Sequence, residues 1–354
     1  MVRCLLALLV ASAVSCGPNW NNKKCISVRD GINKNPASTW KAAIYTRVPY
    51  DNEEALRRLC GTKMDATLLR QEIEKQAASS PDSQAAADQS NRRLQALPFN
   101  FDLRQAYPTC WSIGYIRDQA NCGSCWAVSS MNSISDRHCI DNVKRGNPTQ
   151  RSFSYQDPLE CCSRGTCGTG PNQGCNGGYI HGGFAFAQTV GVVSGENYQN
   201  STTCKPYFFK PGASGSNAKA PSCTATCANT AVYTNPYSED RLKISKFGAI
   251  TGPIIPLIVL QAMQMIITKG SVIAGMDVYS DFYYYSKGVY QKNSGTFIGG
   301  HAVRVVGWGI TSAGIAYWIV ANSWGTNWGM NGFFWMIRGA NNCRFETFMT
   351  YGEI

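Results

Sequence analysis

One cysteine, one histidine and one asparagine stand in segments whose residue types suit amide-bond chemistry. Cys125 lies in Gln119-Ala120-Asn121-Cys122-Gly123-Ser124-Cys125-Trp126-Ala127, His301 in Gly299-Gly300-His301-Ala302, and Asn322 in Ala321-Asn322-Ser323-Trp324-Gly325. A thiol is a strong nucleophile only as the thiolate, so an imidazole must take its proton and a third group must hold that imidazole in one tautomer. Taken singly, each piece is ordinary: a cysteine in an oxidised chain is usually half a disulfide, and an Asn-Ser-Trp is usually a turn. Together, in this order, they supply a nucleophile, a base and an orienting amide. The other two histidines, His138 and His181, lack such surroundings and read as structural.

The elements that must bring these residues together are legible nearby. Residues 302–308 (Ala-Val-Arg-Val-Val-Gly-Trp) and 315–321 (Ile-Ala-Tyr-Trp-Ile-Val-Ala) are rich in β-branched and aromatic side chains, with Thr311-Ser312-Ala313-Gly314 between them. That pattern predicts a hairpin, which brings His301, at the start of one strand, beside Asn322, at the end of the other. Ala127, Met131 and Ile134 recur at helical spacing after Cys125, placing the thiol on a first helical turn, where the dipole favours thiolate.

The whole chain sets the setting for this site. Its 354 residues, with 44% hydrophobic and 16% charged residues, indicate a globular protein with a sizeable core. The apolar run Leu5 to Val10 and the small residues after it predict a signal peptide over 1–15, and sixteen cysteines fit the oxidising secretory route. A net charge of +11 is spread without a basic block or aromatic ladder, so nucleic-acid binding is not indicated. The apolar stretch Pro253 to Ile267 is too short, and too interrupted by proline and glutamine, to span a bilayer, and it predicts a buried helix from about Leu257. Ala77 to Asn91, rich in Ala, Ser, Gln and Asp, reads as a solvated linker before Arg92-Arg93. Trp40, Tyr45 and Leu59 upstream are apolar residues that a linker would not need. One glycosylation acceptor is present, Asn200-Ser201-Thr202.

The Cys125 segment, with His301 and Asn322 after it, resembles the papain-type cysteine peptidases. Within them the chain is most similar to cathepsin B-like enzymes. Leu59-Cys60-Gly61-Thr62, Leu97-Pro98, Ile116-Arg117-Asp118-Gln119, Ile134-Ser135-Asp136-Arg137, Cys175-Asn176-Gly177-Gly178-Tyr179, Val278-Tyr279-Ser280-Asp281-Phe282 and Asn331-Gly332-Phe333-Phe334 carry that likeness. The resemblance implies an α+β fold with a helical lobe and an antiparallel, barrel-like lobe. It also implies an inhibitory propeptide with its polar linker over 16–96 and a catalytic domain over 97–354. Cys125, His301 and Asn322 would then be catalytic, with Gln119 an oxyanion donor and Trp324 shielding the histidine. Gly177, Gly178, Ala302, Trp324 and Phe348 would bind substrate, Phe348 flooring the second pocket. The implied disulfides are Cys110 with Cys139, Cys122 with Cys175, Cys161 with Cys223, Cys162 with Cys167 and Cys204 with Cys227, leaving Cys343 as a buried free thiol.

No metal or cofactor is expected; Cys122 and Cys125, the one C-x-x-C pair, lie inside the nucleophile segment rather than a zinc knuckle. Expected partners are protein or peptide substrates, the propeptide itself and cystatin-type inhibitors, and the expected location is the secretory pathway, a lysosome-like or endosomal vesicle or the extracellular space. One departure stands out. Between Cys204 and Cys223, where cathepsin B-like enzymes usually carry a longer occluding loop with adjacent histidines, this chain has neither a histidine nor a second cysteine pair, and Asn327 replaces a loop-latching aspartate. The expectation is therefore an endopeptidase. The alternatives are a dipeptidyl-carboxypeptidase, with Lys210 or Lys219 as the carboxylate anchor, and a non-catalytic papain-fold binding protein.

Overall fold

A computed structural model describes residues 23–50, 52–78, 97–162, 165–168, 174–212, 218–228 and 230–354. The expected signal peptide, the Arg92-Arg93 pair and most of the linker lie outside the described residues. The linker's first two residues, Ala77 and Ala78, instead finish a helix.

Helices are α1 (Lys23–Lys34), α2 (Glu53–Arg58), α3 (Ala66–Ala78), α4 (Leu103–Ala106), α5 (Trp111–Gly114), α6 (Cys125–Lys144), α7 (Gln156–Cys161), α8 (Gly182–Thr189), α9 (Tyr237–Asp240) and α10 (Ile255–Lys269). Strands are β1 (Trp40–Ala42), β2 (Thr62–Lys63), β3 (Phe101–Asp102), β4 (Gly178–Tyr179), β5 (Lys246–Ile250), β6 (Val272–Tyr279), β7 (Tyr285–Tyr290), β8 (Phe297–Ile310), β9 (Ala316–Ala321), β10 (Phe333–Ile337) and β11 (Phe348–Glu353). The main sheet runs β1-β7-β10-β9-β8-β6-β11-β5, with β3 on β8, and is antiparallel except where β10 meets β7. On one side lies α6, whose Ala127, Met131 and Ile134 are fully buried.

The two halves are tied together by a buried ion pair. Arg304 of β8 reaches Asp136 of α6 at 2.6 Å, and the hydroxyls of Ser112 and Ser271 donate to the same carboxylate. Removing one partner of such a pair strands a buried charge, which typically costs about 3–5 kcal/mol. Disulfides join Cys110 to Cys139, Cys122 to Cys175, Cys161 to Cys223, Cys162 to Cys167 and Cys204 to Cys227. Among the described residues Cys60, Cys125 and Cys343 are free. Cys343 is only partly buried, because it sits in a tight turn at φ 55° rather than in the core.

Two details depart from the sequence reading. The apolar 253–267 stretch forms α10 from Ile255, with a proline in its first turn. Only one face is buried, through Ile258, Val259, Ala262, Met263 and Ile266, while Ile254, Leu257 and Leu260 are exposed. His301 lies inside β8 rather than at its start, because the strand continues back through Gly299 and Gly300 to Phe297.

Residues 23–50 and 52–78 pack across the described residues that follow them. β1 adds an edge strand to the main sheet, Trp40 opposite Gly288, and the Trp40 indole is buried against Tyr285 and Tyr290. Tyr50 stacks on Tyr284, and Tyr45 lies against Trp328. Burying such rings against one another gains both apolar area and ring contacts.

Candidate active site

The hairpin of β8 and β9 turns at Thr311 to Gly314 and aligns Arg304 with Ala321. Asn322 therefore emerges next to His301, and Nε2 of His301 lies 2.8 Å from Oδ1 of Asn322. An amide oxygen only accepts, so Nε2 carries the proton and Nδ1 is the basic nitrogen. Trp324 stacks on the imidazole, ring centroids 5.0 Å apart, and is itself stacked on Tyr283, walling this hydrogen bond from water.

Cys125 begins α6 and is fully buried. Two groups from the N-terminal segment take its sulfur: the Gly61 N–H at 3.2 Å and Thr62 Oγ1 at 3.1 Å. Among the described residues His301 Nδ1, also buried, has no hydrogen-bond partner, yet the imidazole is the chief influence that lowers the pKa of the thiol. The Cys125 thiol is brought down to about 7: burial pushes it up, but His301, Thr62 and the Ala302 N–H together outweigh burial.

The remaining expected site residues surround this pair. The Gln119 side-chain amide is oriented by Ser323 Oγ, which donates to Oε1 at 2.5 Å, so Nε2 points to the carbonyls of Cys122 (2.8 Å) and Leu59 (3.4 Å). The Leu59 carbonyl also accepts from Trp324 Nε1 at 3.3 Å. A carbonyl from the N-terminal segment thus stands where donors converge beside the thiol. On the far side, β2 pairs with β4 in parallel, and Gly178 N–H donates to Gly61 O at 2.8 Å. Glycine is required for this approach. Gly177 has φ +103°, and a Cβ there would lie 2.5 Å from Gly61 O, while one on Gly300 would meet Thr62 O at 2.2 Å.

Phe348 is buried beside Gly275, opposite it in the sheet, and Met64 and Ile180 complete the same apolar corner with Ala302. Residues 44–50 and 52–64 therefore run from the Trp324 end of the cleft, past Cys125, to the Phe348 end. His138 sits edge-on to Phe153, and His181 is buried between Tyr179 and Phe247. Lys210 and Lys219 are exposed. Ser323, Met64 and Ile180 were not singled out by the sequence reading; the Asn-Ser-Trp motif held a signal for Ser323, whereas the other two are defined only by what they touch.

A sequence model of the papain family cysteine proteases matches residues 97–353. The chain belongs to that family. As a papain-family enzyme it is a cysteine peptidase, and its relatives are of the cathepsin B-like kind. It is 37% identical over 319 residues to cathepsin B-like cysteine proteinase 4 of Caenorhabditis elegans, covering 87% of this chain and 86% of that one. A gut-specific cysteine proteinase from the same organism is 39% identical over 262 residues, covering 73% and 74%. Among solved structures, procathepsin B S9 from Trypanosoma congolense superposes with a TM-score of 0.71 at 29% identity, over 92% of this chain and 97% of that one. Procathepsin L 3 of Tenebrio molitor larval midgut shares the fold at a TM-score of 0.61 and 19% identity, over 93% and 88%. Among the described residues no helix is long and apolar enough to cross a membrane.

Proposed function

We propose that the protein is a zymogen of a cysteine endopeptidase, with residues 16–96 as the inhibitory prosegment and 97–354 as the catalytic domain. The observation that carries this reading is the occupied cleft, in which Gly61 and Thr62 hold the Cys125 sulfur and the Leu59 carbonyl fills the space beside Gln119. A segment seated so tightly blocks any substrate until it is removed. Maturation then frees the Cys125 thiol, whose proton passes to Nδ1 of His301. The thiolate attacks the substrate carbonyl, and the oxyanion is met by the Gln119 amide and the Cys125 N–H. His301 returns the proton to the leaving amine, and water, deprotonated by His301, cleaves the thioester.

Phe348, with Gly275, Ile180 and Ala302, is the apolar pocket for the second residue before the scissile bond. An extended substrate adds a strand on Gly178, as β2 does here, and Gly177 gives it room. With the acyl half at Phe348, the substrate runs opposite to the prosegment, and its leaving half passes Trp324. We assign the chain to the secretory pathway, ending in a lysosome-like or endosomal vesicle or outside the cell, with cystatin-type inhibitors as candidate partners of the open cleft. Asn200 is the proposed glycan site; it lies in a surface turn with Thr202 Oγ1 2.6 Å from its Oδ1, and glycosidase treatment of secreted protein should increase its gel mobility.

Endopeptidase action is favoured over dipeptide release by the Cys204–Cys223 segment, which contains no histidine to hold a terminal carboxylate. Internally quenched peptides offered as free acids and as amides test this directly. The amides should be cut within about threefold of the acids, and a preference above roughly tenfold for the acid, about 1.4 kcal/mol, would overturn the reading. A thiol-reactive epoxide probe should label the matured protein and fail on Cys125→Ala, which separates an enzyme from a binding protein.

A further inference from the structure

Asp118 immediately precedes Gln119 and bridges to Trp324, so it stands at the leaving-group end of the cleft. Its carboxylate is mostly buried, with 16% of the side chain exposed. Oδ1 accepts from the Ala120 N–H at 2.9 Å, the Gly212 N–H also donates to the carboxylate, and Oδ2 meets Arg47 Nη1 at 3.2 Å. Burial raises this carboxyl's pKa, and the Ala120, Arg47 and Gly212 contacts oppose that rise.

Arg47 is the cation that forms an ion pair with Asp118 among the described residues, and it comes from the segment that maturation removes. Its guanidinium also lies against Gly212, where an added Cβ would be 3.0 Å from Cζ. The ion pair borders a cavity of about 300 Å³ between Tyr45 and Leu59 on one side and Asn121, Trp324 and Asn327 on the other. Loss of the prosegment strips away the Tyr45, Arg47 and Leu59 walls. What stays is an acid in a half-apolar recess beside Trp324, its cation gone.

We propose that Asp118 is a specificity-determining residue of the mature enzyme, recruiting a lysine or arginine side chain from the leaving-group half of the substrate into the place Arg47 holds in the proform. The inference rests on the endopeptidase reading and deepens it. A basic side chain is rewarded there, whereas a terminal carboxylate arriving near Asp118 is repelled. Arg47 mimics the side chain rather than the backbone, because the prosegment runs the opposite way.

The test uses matured enzyme and internally quenched, C-terminally amidated peptides with leucine two residues before the scissile bond and four residues after it. Each of those four positions carries lysine, leucine or glutamate in turn. Lysine should exceed leucine in kcat/KM by about tenfold at one position, glutamate should fall below leucine there, and added salt should compress both differences. In Asp118→Asn, normalised to its own rate on a dipeptidyl coumarylamide that has no amino acid after the scissile bond, the lysine-to-leucine ratio should fall to near one. Ready cleavage of the amides with all lysine-to-leucine ratios within twofold, or a lysine preference that survives Asp118→Asn, overturns this proposal alone. Dipeptide release from free-acid peptides with the amides left intact overturns the endopeptidase reading and this proposal with it.

Discussion

Thr62 Oγ1 lies 3.1 Å from Cys125 Sγ, so the nucleophile of the described form is hydrogen-bonded to the segment that covers it. Burial is the largest influence on this thiol and acts to raise it, yet the net position is about 7. Opening the cleft relieves burial, the largest influence, and removes the Gly61 and Thr62 contacts, which are smaller. The thiol of the matured enzyme should therefore titrate below about 7. The pH dependence of its alkylation by iodoacetamide measures this, and a midpoint at or above 7 would contradict it.

Asn322 acts on His301 through one 2.8 Å contact, and among the described residues no other group accepts from Nε2. Asn322→Ala leaves the imidazole free to rotate and to change tautomer, so kcat should fall by about 10- to 100-fold with KM changed far less. Active-site titration with an epoxide probe guards against counting misfolded protein. A KM effect larger than the kcat effect would assign Asn322 to substrate binding instead.

The local part of this site is readable from sequence because hairpins and helix starts are encoded by neighbours: β-branched runs around Thr311-Ser312-Ala313-Gly314, and the Ala127, Met131, Ile134 stripe. Contacts made over long separations leave no such trace. β1 is three residues long and pairs with β7 across more than 240 residues, and Arg47 meets Asp118 across 71. The exposed face of α10 was hidden for a different reason. When nearly every position is apolar, helical periodicity vanishes, and Leu257 and Leu260 look as buried as Ile258 and Val259. Gly299 and Gly300 likewise masked the true start of β8, since glycine argues against strand while the closely seated prosegment demands it.

Phe348 supplies the apolar corner that Met64 fills, and a carboxylate there should alter which side chain fits. Phe348→Glu should raise the ratio of cleavage after a P2 arginine to that after a P2 leucine. The gain should be modest, because the Arg344 guanidinium lies 5.3 Å from the Phe348 ring and would compete for the new carboxylate. Arg344 is already paired with Asp277 at 2.6 Å, which limits that competition. Adding Arg344→Ala should enlarge the shift, to about tenfold in the ratio of kcat/KM. A ratio unmoved in both variants would remove Phe348 from the pocket.

His181 should link prosegment release to acidity. Its ring is buried beneath α3, where Glu72 crowds the same space above Gly168, and neither ring nitrogen has a hydrogen-bond partner. Burial pushes the imidazole down to about 4, against the pull of Glu72 and Asp65 in the opposite direction. Once α3 lifts away, burial is relieved on that face and the pKa rises from about 4 towards the ordinary histidine value, with Tyr179 and Phe247 still flanking the ring. The open form then binds the proton more readily than the closed form between about pH 6.5 and 4. Stability of the closed zymogen from this group is accordingly complete above about 6.5 and declines as pH falls through that window. His181→Phe keeps an apolar ring in the site and removes the proton. Its maturation should be less steeply accelerated by acid, with about tenfold less gain between pH 7 and 4.5 for each pKa unit that opening restores. The readout is the first-order rate of prosegment loss from Cys125→Ala proenzyme, with and without His181→Phe, under added mature enzyme at each pH. Identical pH profiles for the two, after correction for the mature enzyme's own activity, would show that His181 does not couple acidity to release.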